Sequence, residues 1–114
     1  IWSGDDAIVL KSTLPRMTKD VVITNCVLSS LCNAFKLGTE TNGGFENIVI
    51  SNSTIYDTRL SGLTLQIVDG GTLDGVVATN LTMPMSISGN GPDGTAMNMR
   101  SVSVSKTTLE LLQP

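Results

Sequence analysis

The chain has no histidine and little aromatic or charged surface: aromatic residues are 4% and charged residues 15% of its 114 positions. Without histidine there is no imidazole general base, no Ser-His-Asp triad and no His-ligated metal in this chain. Lys and Arg number 7 against 10 acidic residues and do not cluster, so nucleic acid and anionic membranes are poor partners. No run of eighteen apolar residues occurs, and no membrane-spanning helix is expected. No signal peptide is readable, and the sequence opens on Ile1 rather than Met.

Cysteine is scarce too. Cys26 and Cys32 are the only two, too few for a zinc site without further ligands, so no metal is expected. They read either as a disulfide or as two small apolar side chains, and the second reading is preferred.

What is abundant is short β-branched runs. Val21–Leu28, Ile48–Ile55, Val76–Met83 and Val102–Leu109 align, their starts 27, 28 and 26 residues apart. Each has a short apolar strand, then Ser or Thr, then mostly Asn, then a second strand. A second series, Ala7–Lys11, Ala34–Gly38 and Gly62–Gln66, keeps the same period, with Pro84–Ser88 as a shorter fourth member. No helical periodicity accompanies them.

A unit of this length cannot bury its apolar face alone, whereas stacked units can. The expected fold is all-β: a single domain over residues 1–114 built as a parallel β-helix, a solenoid of about four coils, with 84–114 a divergent C-terminal coil or cap. Equivalent strands pair in parallel roughly 4.8 Å apart. Ile8, Phe35 and Leu63 then form one internal stack, and Leu10, Leu37 and Leu65 the next. Asn25, Asn52 and Asn80 fall at one corner of successive coils and are expected to form an inward amide ladder that Lys106 interrupts. Asn52-Ser53-Thr54 and Asn80-Leu81-Thr82 also match the N-glycosylation pattern. The ladder is the preferred reading, because an inward Asn is closed to a glycosyltransferase.

Thr41–Gly44 and Asp69–Thr72 are turns at equivalent places, and Gly89–Gly94 is a Gly-rich loop. On the second series Val9, Lys11, Lys36, Gly38, Thr64 and Gln66 are expected to face outward. Stacking brings Asp6, Asn33 and Ser61 together on one side and the Glu40 and Asp69 neighbourhood on the other. Such an elongated face of lysines, carboxylates and amides suits a sugar polymer. Asn33, Lys36, Glu40, Gln66 and Asp69 are its candidate substrate-binding residues. Lys36 and Glu40 alternatively make a surface ion pair.

The adjacent carboxylates Asp5 and Asp6 are the sharpest chemical feature. A carboxylate pair can serve as acid and base in glycoside hydrolysis, one member holding a proton. The competing reading is an Asp-rich turn leading into a strand.

Gly4-Asp5-Asp6-Ala7-Ile8-Val9-Leu10-Lys11-Ser12 resembles the Gly-Asp-Asp-x-Ile-x-Leu-Lys-Ser signature of glycoside hydrolase family 28, the polygalacturonases and rhamnogalacturonan hydrolases. Asn33–Glu40, Gly43–Ile48 and Ile67–Gly71 look like the coils that follow it, and the resemblance covers roughly 1–83. It implies a right-handed parallel β-helix, extracellular or periplasmic, that hydrolyses pectic or other polysaccharides with inversion and without a cofactor. Asp5 matches the general acid and Asp6 a water-activating carboxylate. The family's other water-activating Asp belongs to a coil upstream of residue 1. Asn33 stands near the place of its active-site His, and Thr64 and Gln66 near its Arg-x-Lys pair, which implies a sugar other than galacturonate. A non-catalytic carbohydrate-binding β-helix, or a segment needing further coils, is the alternative. Unpaired solenoid ends imply self-association.

Overall fold

A computed structural model of the chain describes residues 1–84, 87–91, 98–100, 103–105 and 108–110. The class is all-β. The strands are β1 (Trp2–Ser3), β2 (Ile8–Ser12), β3 (Thr18–Thr24), β4 (Val27–Ser30), β5 (Phe35–Thr41), β6 (Phe45–Ile55), β7 (Leu63–Gln66), β8 (Thr72–Pro84), β9 (Ile87–Asn90), β10 (Asn98–Arg100), β11 (Ser103–Ser105) and β12 (Thr108–Glu110). They form two sheets. One is ordered β2-β5-β7-β9; the other runs β1-β4-β6-β8-β10, with β3 on β6 and β11 and β12 on β8.

Pairing follows the sequence period. All the strand pairs among the described residues are parallel, as in Trp2 with Ser29, Ile8 with Phe35 and Val21 with Ile48. Phe35 then pairs with Leu63, Ile48 with Val76, and Ala78 with Val104. The two stacks expected in the second series, Ile8–Phe35–Leu63 and Leu10–Leu37–Leu65, are both in register. The fourth member of that series differs. Ile87 pairs with Leu63 and Gly89 with Leu65, so the strand begins at Ile87, while Pro84 ends β8. Gly89 and Asn90 are thus strand residues rather than loop; Lys106, Met85 and Pro92–Gly94 lie outside the described residues.

The apolar face of each strand makes the core. Phe35, Phe45, Leu28, Ile48, Ile50, Ile67, Leu73 and Met83 have essentially no solvent exposure, and Leu37 and Leu63 pack with them. Ile8, Leu10, Val21 and Ile23 are only half-buried because β2 and β3 each pair on one side. The turn at Thr41–Gly44 is closed by Gly44 N–H on Thr41 O (3.0 Å); the one expected at Asp69–Thr72 lies at Ile67–Gly70 instead, closed by Gly70 N–H on Ile67 O (3.3 Å), because Thr72 already opens β8. Gly71 sits at φ 84°, and a side chain there would collide with the Thr41 carbonyl oxygen.

The asparagine corner is a correction. Asn25, Asn52 and Asn80 have φ of 56°, 49° and 54°, and all three are exposed rather than inward. The left-handed backbone, which Asn tolerates better than most residues, turns the side chain out of the sheet face. One rung forms, Asn80 Nδ2 to Asn52 Oδ1 at 2.7 Å. A neighbouring rung joins Asn47 Nδ2 to Asp20 Oδ1 at 2.9 Å. No bond joins Asn52 to Asn25 among the described residues.

Candidate functional site

Asp5 and Asp6 occupy the bend between β1 and β2, and the hydroxyls of Ser3 and Ser30 pin that bend. Ser3 Oγ accepts from Asp5 N–H at 3.2 Å and donates to Asp6 O at 3.3 Å. Ser30 Oγ donates to Asp5 O at 2.7 Å and itself accepts from Cys32 N–H at 2.9 Å. The hydroxyls substitute for strand pairing where the chain turns.

Asn33 and Lys36, around the start of β5, supply Asp6 with partners. Its Oδ1 accepts from both Asn33 N–H and Asn33 Nδ2, each at 2.9 Å. Its Oδ2 lies 3.3 Å from Lys36 Nζ in a largely shielded pair, the two side chains 16% and 13% exposed for Lys36 and Asp6. Burial alone would raise the Asp6 pKa. The two Asn33 hydrogen bonds and the Lys36 charge outweigh it, and the carboxyl is held below its ordinary value. Asp6 is therefore a carboxylate near neutral pH.

Asn33 is itself locked. Its Oδ1 accepts from Ser61 N–H at 3.2 Å and from Thr64 Oγ1 at 2.8 Å. The expected grouping of Asp6, Asn33 and Ser61 is thus present. Thr64, expected to face outward, is buried at 1% exposure with its hydroxyl spent on Asn33. Gly38, expected outward as well, is buried, with the Gln66 main chain over it.

The remaining candidates are dispersed. Lys36 pairs with Asp6, and it is Lys11 Nζ that meets Glu40 Oε1, at 3.2 Å on the surface. Gln66 is half-buried at the end of β7, and Asp69 is exposed in the following turn. No ion pair or hydrogen bond joins Glu40 to Asp69 among the described residues. A cleft of about 270 Å³ lies away from the carboxylates, lined by Lys11–Leu14 and Arg16–Thr18 at the far end of β2.

Cys32 is the site residue that the sequence reading passed over. Its sulfur and an oxygen from each of Asp5 and Asp6 lie within 4.8 Å of one another. Desolvation, then the negative charges of Asp5 and Asp6, push the thiol pKa up, so Cys32 stays protonated and is no thiolate nucleophile. Both cysteines are free and half-buried. The signal for Cys32 was available: it precedes Asn33, one period on from Asp5.

What the arrangement offers is a fixed, ionised carboxylate beside a second, exposed one, rimmed by a lysine, an amide and a neutral thiol. It can bind hydroxyl-rich ligands and can accept a proton at Asp6. Comparison of the chain with protein-family models, with curated proteins and with solved structures found no match.

Proposed function

We propose that the chain is part of a right-handed parallel β-helix of the family 28 type, and that it hydrolyses glycosidic bonds of an extracellular or periplasmic polysaccharide at Asp5 and Asp6. The β-helix reading is supported by parallel registers that advance by about one coil, 24–29 residues, at every step. The single observation that carries the activity is the Asp5–Asp6 pair, held side by side with Asp6 ionised by Asn33 and Lys36. In this reading Asp5 gives its proton to the glycosidic oxygen while Asp6 takes one from the attacking water. The C–O bond to the leaving sugar breaks as water oxygen bonds to the anomeric carbon. Lys36 and Asn33 position Asp6, and no cofactor enters.

Nearest oxygens within 4.8 Å make a closer pair than the roughly 6.5–9.5 Å usual for inversion. The anomer released in the first minutes, read by proton NMR, therefore distinguishes family-type inversion from retention.

A second reading is carbohydrate binding without turnover, and the Asp6–Lys36 pair favours it. A carboxylate neutralised by a shielded ammonium is a weaker base. Neutral and pectic polysaccharides, incubated with the protein and assayed both for retention and for new reducing ends, separate the two. New ends support hydrolysis; retention alone supports the binding module; neither result on any polymer refutes both. The one-sided edges of β2 and β3 fit end-to-end pairing of two copies, which light scattering would register as twice 12.0 kDa.

A further inference from the structure

We propose that Asn52 is an acceptor for an N-linked glycan. Three observations carry this, and all concern the segment Asn52-Ser53-Thr54 in the second half of β6. Asn52 is exposed at φ 49°, Ser53 is buried at 4% exposure and Thr54 is exposed. The amide and the hydroxyl two residues on, the two groups that the N-x-[ST] pattern requires, are therefore both open to solvent on either side of the buried Ser53. The hydrogen bonds follow the same division. Ser53 Oγ donates to Ser51 O at 2.9 Å and accepts from Cys26 N–H at 3.2 Å. Asn52 uses only its Oδ1, as acceptor from Asn80. Its Nδ2 and the Thr54 hydroxyl make no hydrogen bond among the described residues, so the groups that glycosylation engages are those the fold leaves open.

The two neighbouring asparagines sharpen the choice. Asn25 has the same exposed left-handed conformation, but Asn25-Cys26-Val27 lacks the hydroxyl residue. Asn80-Leu81-Thr82 has the pattern, yet Asn80 Nδ2 is committed to Asn52 at 2.7 Å and Thr82 is only half-exposed, paired beside Thr108. Asn52 alone combines pattern, exposure and an uncommitted amide nitrogen.

In the transfer, Asn52 Nδ2 bonds to C1 of the first sugar of a lipid-diphosphate-linked oligosaccharide. The bond from C1 to the phosphate oxygen breaks, its electron pair leaves with the lipid diphosphate, and Nδ2 loses one proton. Oδ1 is untouched, so the Asn80 rung persists in the product. The inference rests on the secretory location in the proposal above. Imposing that location with a eukaryotic secretion leader makes the site testable apart from it. The same secreted protein, assayed for new reducing ends, scores the hydrolase reading independently.

The secreted chain, its Asn52→Gln and Thr54→Val variants and an Asn80→Gln variant are compared by intact mass before and after peptide-N-glycosidase F, with mapping of the Asn-to-Asp conversion it leaves in the chain. Asn52 glycosylated in the parent and Asn80→Gln proteins, and bare in Asn52→Gln and Thr54→Val, is the expected result. A parent protein without glycan, or one carrying it at Asn80 and not at Asn52, overturns the proposal. Thr54→Val retains Asn52 and the shape of the side chain, so its loss of glycan is read on a chain with the acceptor intact.

Discussion

Replacing Asn33 by Ala probes the link that joins the carboxylate pair to the rest of the fold. Asn33 is 7% exposed and its side chain makes three hydrogen bonds, to Asp6, Ser61 and Thr64. Truncation removes both the amide that ties Asp6 to the segment before β5 and the oxygen that ties Ser61 and Thr64 to it. Losing buried partners costs about 1–3 kcal/mol per group left without its bond. Since the Asn33 backbone N–H still reaches Asp6, a total of about 2–4 kcal/mol is expected. For 114 residues the unfolding entropy is about 240 cal/mol/K, so 1 kcal/mol moves Tm by about 4 °C, and the variant should melt about 8–16 °C lower.

The loss should also depend on pH. Folding lowers the Asp6 pKa below its unfolded value, so the stability from ionised Asp6 is present above the unfolded value, near 3.8, and fades as pH falls through the folded one. Asn33→Ala lets that folded pKa rise. The gap between wild type and variant in urea melts should therefore be wider at about pH 7 than at about pH 2.5. A gap under about 0.5 kcal/mol at neutral pH, or one independent of pH, would refute the argument that Asn33 organises the site.

Three further outcomes are expected of the same fold. Phe35→Ala empties the centre of the Ile8–Phe35–Leu63 stack and should cost about 3–5 kcal/mol in urea denaturation, among the largest single losses in the chain. Gly71→Ala should destabilise by more than about 1 kcal/mol, because of its positive φ and the Thr41 carbonyl, whereas Gly4→Ala, with open space around it, should fall within about 0.5 kcal/mol of wild type. Glu40→Gln breaks only the exposed pair with Lys11, so melting in low and high salt should agree with wild type to within about 1 kcal/mol.

The parts of this fold that were readable in advance are those that depend on period alone. The strand pairings at Ile8–Phe35–Leu63 and Val21–Ile48–Val76 follow from spacing, and so does the meeting of Asp6 with Asn33. What spacing does not report is the direction a side chain takes where the backbone leaves the regular pleat. Alternation predicted Thr64 to be outward, but a bond to Asn33 holds it in. Positive φ turned Asn25, Asn52 and Asn80 outward against the expected ladder. Lys36, offered as a partner for Glu40, pairs instead with Asp6, and Lys11 meets Glu40. Cys32 went unmarked because a lone thiol carries no pattern until its neighbours are known.

The most direct test of the central claim is the initial rate of reducing-end formation by Asp5→Asn beside wild type, on whichever polysaccharide the wild type cleaves. If Asp5 supplies the proton, the rate should fall by about 10²–10⁴-fold while retention on the polymer stays unchanged. An Asp5→Asn protein that cleaves at the wild-type rate would contradict the assignment of chemistry to this carboxylate pair.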